Sequence, residues 1–131
     1  MLIYSKRFVM NETEVPAVVL DTDKVTVTEN GDRQKITKFF TDYARYHLRY
    51  VAEINPERLQ RLVDEGKIID YLNDLEDRCF EATDRQVELW KENDKEYKVA
   101  AMNDDIVKMG GILNNLTAMA KEQVMNTMVY V

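Results

Sequence analysis

Residues 67–128, KIIDYLNDLEDRCFEATDRQVELWKENDKEYKVAAMNDDIVKMGGILNNLTAMAKEQVMNTM, decide the fold. In the first half of this stretch Ile68, Leu72, Leu75, Cys79, Ala82, Gln86 and Leu89 recur at alternating steps of four and three. In the second half Val99, Met102, Ile106, Met109, Leu113, Leu116 and Ala120 do the same, and Gln123 and Val124 continue the pattern. That spacing keeps one side of a helix apolar along its length, and such a seam has to be buried. The polar break Lys91-Glu92-Asn93-Asp94-Lys95 separates the two and offers Asn93 or Asp94 as N-cap of the second helix. A short connection between seams of matching length predicts an antiparallel helical hairpin, with arms roughly 35–50 Å long.

Opposite the first seam, Asp70, Asp74, Asp77, Glu81, Asp84 and Glu88 also step by four and three. At 100° per residue they fall within about 40° of one line, over roughly 27 Å of helix. Arg78 and Arg85 follow Asp74 and Glu81 by four residues and soften the face. Charge runs usually mark a solvated surface. The competing reading is a surface for a basic partner, with these six carboxylates as its contact residues.

A chain of 131 residues fits a single domain, divided here into a β-rich part (1–30), two helices (32–65) and the hairpin (67–128). Apolar content is ordinary, charge is high, and no run nears the ~20 residues needed to span a bilayer. Lys6 and Arg7 interrupt the apolar start before a signal peptide forms, so a cytoplasmic location is expected. The net charge of −6 is uneven. Between Asp64 and Asp105 stand fourteen acids against six bases; between Arg33 and Arg61, seven bases against three acids. The acidic total disfavours broad DNA binding, which neutralises phosphates with Lys and Arg.

Within 1–30, Leu2, Tyr4, Phe8 and Met10 nearly alternate, Asn11–Glu14 reads as a turn, and Val15–Leu20 and Val25–Thr28 read as further strands. Pro16 favours an edge or a strand start. Asn30-Gly31-Asp32 then caps a helix predicted from Arg33 to about Glu53, its apolar side formed by Ile36, Phe40, Tyr43, His47, Tyr50 or Val51, and Ile54. Lys35, Lys38, Arg45 and Arg49 fall on the other side. Asn55-Pro56-Glu57 starts a shorter helix that ends at Gly66. The expected class is therefore α+β, mostly α: a long antiparallel helical hairpin plus two shorter helices, with a small N-terminal β-sheet packed on them.

No chemistry-bearing pattern stands out. Ser5 is the sole serine and His47 the sole histidine, and no Gly-rich phosphate loop exists among four glycines. A helical di-iron site needs two Glu-x-x-His motifs, so metal and cofactor sites are not expected. His47 among aromatics reads as a packed histidine with one hydrogen-bond partner, and Cys79 as a small buried hydrophobe. Gly110-Gly111 suggests a kink or a close helix contact. A non-enzymatic protein is expected.

Gly66-Lys67-Ile68, Tyr71-Leu72 and Leu75-Glu76 resemble the G-K-L-x-x-Y-L segment of the small transposon-encoded proteins called TnpV. Leu113-Asn114-Asn115-Leu116, Ala120-Lys121-Glu122-Gln123-Val124 and Met128-Val129-Tyr130 are similar to that family's M-N-N-I, A-E-E-x-V and E-L-I-Y blocks in matching spacing. Thr127 departs from the pattern by replacing an acid, and Ile106-Val107 by replacing a tryptophan-containing segment. The resemblance spans roughly Tyr43 to Tyr130 and implies carriage on a mobile genetic element, with no catalytic residues attached.

Three functions fit these readings. The first is an inhibitor or regulator that meets a basic nucleic-acid-processing protein (a nuclease, a CRISPR effector or a recombinase) through the acidic face, by analogy with anti-CRISPR proteins. The second is an accessory DNA-binding or excision factor using Lys35, Lys38, Arg45, Arg49, Arg58 and Arg61, with a helix-turn-helix near Asn55-Pro56. The third is a structural module in which an exposed seam forms a homodimer.

Overall fold

The computed structural model describes residues 1–10, 13–31 and 34–130. Contacts group into two compact units, Met1–Glu76 and Asp77–Val131, and the long helix α3 (Ile68–Asn93) contributes to both.

The first unit holds six strands: β1 (Leu2–Tyr4), β2 (Phe8–Met10), β3 (Glu14–Pro16), β4 (Val18–Asp21), β5 (Thr26–Asn30) and β6 (Lys35–Phe39). Antiparallel pairing gives a four-stranded sheet in the order β1-β4-β5-β6 and a separate β2-β3 ribbon. Ser5 explains why the alternating start is two strands. Its buried hydroxyl donates to the Arg7 carbonyl at 2.8 Å and accepts from the Val18 N–H at 3.0 Å, which takes the chain out of the β1 ladder. Pro16 sits in the outlying ribbon, where its missing N–H costs no ladder bond in the main sheet. The turn expected at Asn11–Glu14 lies partly outside the described residues, as do Asp32 of the expected cap and Arg33, the expected helix start. The β4–β5 turn is built on Asp21, whose Oδ1 accepts from the Asp23 and Lys24 N–H groups, both at 3.0 Å.

One face of the sheet carries Ile3, Val18, Leu20 and Val27 into a core completed by Ala44, Leu48, Val51, Leu59, Val63, Ile68, Ile69 and Leu72. These come from α1 (Asp42–Ile54), α2 (Pro56–Asp64) and the start of α3. Each such Leu or Ile, moved fully out of water, stabilises by about 1.5–3 kcal/mol. The α2–α3 corner is a Schellman turn: Lys67 N–H reaches the Leu62 carbonyl at 2.9 Å and Gly66 N–H the Val63 carbonyl at 3.2 Å. Gly66 has φ +69°, a conformation that disfavours any side chain.

The helix expected from Arg33 is corrected. Lys35–Phe39 is strand β6, so β-structure extends beyond residue 30, and the helix starts at Asp42. Ile36 and Phe40 suit a helix by spacing, and Lys35-Ile36-Thr37-Lys38-Phe39 does not alternate apolar with polar, but the β-branched Ile36 and Thr37 suit a strand and pairing with β5 wins.

In the second unit α3 ends at Asn93, followed by α4 (Lys95–Met102), α5 (Ile106–Val124) and a π-helical turn, Met125–Val129. Asp94 caps α4 as expected, its carboxylate accepting from the Tyr97 N–H at 2.8 Å. The predicted single second arm is broken at Asn103–Asp105. Asp104 takes φ 51°, which Asp tolerates better than most residues, and Asp105 caps α5 by accepting from the Lys108 N–H at 3.1 Å. The interior is lined by Cys79, Thr83, Ala100, Leu116, Ala120, Val124 and Val129. Several expected seam residues are exposed instead: Leu89, Val99, Met102 (84% exposed), Ile106 (79% exposed) and Gln123. Spacing alone does not register a break that keeps the helical phase. A Cβ on Gly110 or Gly111 meets nothing within 4 Å, so the pair marks no close helix contact.

Candidate partner-binding face

Helix α3 positions the acidic residues. Its seam side buries Ile68, Leu72, Leu75, Cys79 and Thr83, and at helical spacing this turns the opposite side outward. Asp70, Asp74, Asp77, Glu81, Asp84 and Glu88 are all exposed. The first two belong to the first unit and the last four to the second.

The carboxylates are not equivalent. Glu88 is bonded to Lys91 at 3.2 Å, and this hydrogen bond and charge raise the lysine's pKa above its usual value. Asp77, Glu81 and Asp84 have no ion-pair partner among the described residues, and Arg85, four residues after Glu81, does not close on it. Exposed pairs of this kind contribute little to stability, so leaving these three carboxylates without ion-pair partners among the described residues costs the fold little. Glu76, one turn before Phe80 on the same helix, is instead used inside the first unit. It accepts from both the backbone N–H and the hydroxyl of Thr41, the latter at 2.6 Å, and Thr41 is the N-cap of α1.

The basic residues are dispersed. Lys35 and Lys38 stand on β6, not on a helix. Arg45 pairs with Asp42 at 3.4 Å, and Arg58 lies over the Tyr71 ring at 5.2 Å. Arg61 lines an open groove of about 490 Å³ with Lys6, Gln60 and the acids Glu57, Asp64 and Glu65. That groove was not foreseen. Gln60 Nε2 donates to the Tyr4 carbonyl at 2.8 Å and Lys6 N–H to Asp64 Oδ1 at 2.7 Å, long-range bonds with no local sequence signal. The α1–α2 corner at Asn55-Pro56 exists, but α2 itself carries acids among its arginines.

His47 is buried, 3% exposed, with Nε2 2.6 Å from the Tyr71 hydroxyl. Cys79 is buried and forms no disulfide among the described residues. Among the described residues no group of three or more His, Cys, Asp or Glu side chains is arranged to hold a metal ion, and no helix is long and apolar enough to cross a membrane.

The fold and this face define a small, mostly helical α+β protein with an outward-facing acidic helix. Residues 20–129 match the family model described as transposon-encoded protein TnpV. The match takes in most of the chain, and the protein belongs to the TnpV family. No curated protein and no solved structure matches it.

Proposed function

We propose that this transposon-associated protein acts without catalysis, by binding a basic surface on a nucleic-acid-processing protein and so inhibiting or regulating it. The observation that carries the reading is the set Asp77, Glu81 and Asp84, exposed on one helix and left without ion-pair partners among the described residues. A rigid line of carboxylates competes with a phosphate backbone for Lys and Arg, and the competition is strongest where salt does not screen it. The test is functional: the wild-type protein, titrated into a cleavage or strand-exchange assay of the element's recombinase or of a host nuclease, reduces turnover of DNA. Asp77→Lys with Glu81→Lys leaves turnover untouched. Equal inhibition by both proteins counts against the reading.

Direct DNA contact is the second reading, favoured by Lys35 and Lys38, which are exposed and have no ion-pair partner among the described residues. Arg45, Arg58 and Arg61 support it less, since each already faces an acid or an aromatic ring.

A further inference from the structure

We infer that strand β6 is a self-complementary edge through which two copies of the chain join their sheets. β6 ends the order β1-β4-β5-β6, and all five of its residues are exposed, Phe39 at 77%.

The hydrogen-bond parity of this edge follows from two flanking bonds. Phe40 N–H reaches the Val25 carbonyl at 3.1 Å and Gly31 N–H the Gln34 carbonyl at 2.7 Å. In an antiparallel ladder bonded pairs alternate, so Gln34, Ile36, Lys38 and Phe40 direct their backbone groups at β5. Lys35, Thr37 and Phe39 direct theirs outward.

A two-fold axis at Thr37 uses those outward groups. It pairs Thr37 with Thr37 of the second copy and Lys35 with Phe39, for about six new backbone bonds. The intervening non-bonded pair is Ile36 with Lys38. Lysines ordinarily blunt an edge strand because pairing sets like charges together. In this register each lysine instead meets an apolar residue, its stem lying along Phe39 or Ile36. An axis at Lys35 would put lysine against lysine. The occupant that fits the pattern Lys-Ile-Thr-Lys-Phe is therefore the same pattern reversed. The contact is small, so association is weak and concentration-dependent.

Sedimentation equilibrium of the full chain tests the inference, with far-UV circular dichroism checking that each variant is folded. The wild type dimerises. Ile36→Glu, set against Lys38 of the second copy, binds about tenfold tighter than Ile36→Lys, which sets like charges together at two symmetric places. General repulsion between two chains of net charge −6 would order these variants the other way. Thr37→Pro removes an outward N–H while sparing the backbone bonds to β5, at the cost of the 3.3 Å hydroxyl contact with Thr28, and dimerisation is lost. A wild-type protein that stays monomeric, a dimer indifferent to Thr37→Pro, or tighter association of Ile36→Lys than of Ile36→Glu overturns the inference.

Discussion

Glu76 holds the N-terminus of α1 from 35 residues away: one carboxylate oxygen accepts from both the N–H and the hydroxyl of Thr41. Thr41 makes no side-chain capping bond of its own to the helix. A carboxylate at this place satisfies an orphan donor and complements the helix dipole.

Glu76→Ala therefore destabilises by about 1 kcal/mol, the usual cost of losing a cap. Glu76→Gln keeps an acceptor and recovers part of the loss. Urea unfolding midpoints of the two variants check this, and equal midpoints would show that the bond contributes nothing.

Tyr71→Phe leaves His47 without the hydroxyl 2.6 Å from its Nε2, at a cost of about 1–3 kcal/mol. Removing both groups, as His47→Leu with Tyr71→Phe, costs less than the sum of the single changes. A double-mutant cycle in denaturant measures the difference. An additive cycle would mean the contact is not coupled.

Leu72 on α3 and Met102 on α4 are both seam positions by spacing, but only Leu72 is buried. Leu72→Ala opens a cavity in the core and costs about 2–5 kcal/mol. Met102→Ala, at a residue exposed on α4, changes stability by less than about 0.5 kcal/mol. Thermal unfolding of both distinguishes this fold from an unbroken hairpin, in which Met102→Ala would also be costly.

These contrasts show what was legible in the chain. The α3 seam was, because Ile68, Leu72, Leu75 and Cys79 are all buried and their spacing has one interpretation. So was the acidic face, since exposure opposite a buried seam follows from helix geometry alone. Asp94 and Gly66 marked helix ends by residue chemistry. β6 was not legible as a strand, because Ile36, Phe39 and Phe40 keep helical spacing without alternating and only the partner β5 decides. The break at Asn103–Asp105 carried a signal, three consecutive Asn/Asp residues, that the continuing apolar phase of Val99, Met102 and Ile106 obscured. That Asp77, Glu81 and Asp84 have no ion-pair partner among the described residues is likewise not a local matter: Arg85 has the right spacing for Glu81 and does not close on it.

Direct DNA contact makes a separable prediction. Lys35→Glu with Lys38→Glu changes no interaction with a protein partner, and the wild type retards no DNA duplex in a gel shift at physiological salt. A shifted duplex that this double substitution abolishes would transfer the function to the basic residues of the first unit.

The most direct measurement is the affinity of the protein for a basic nucleic-acid-processing partner, taken at two salt concentrations, with and without Asp77→Lys and Glu81→Lys. Both positions are exposed on α3, so the variant keeps its fold. The account predicts a wild-type affinity that falls steeply between low and high salt, and a variant that is weaker at low salt and nearly indifferent to it. A variant that binds as tightly as the wild type, with the same salt dependence, would contradict it.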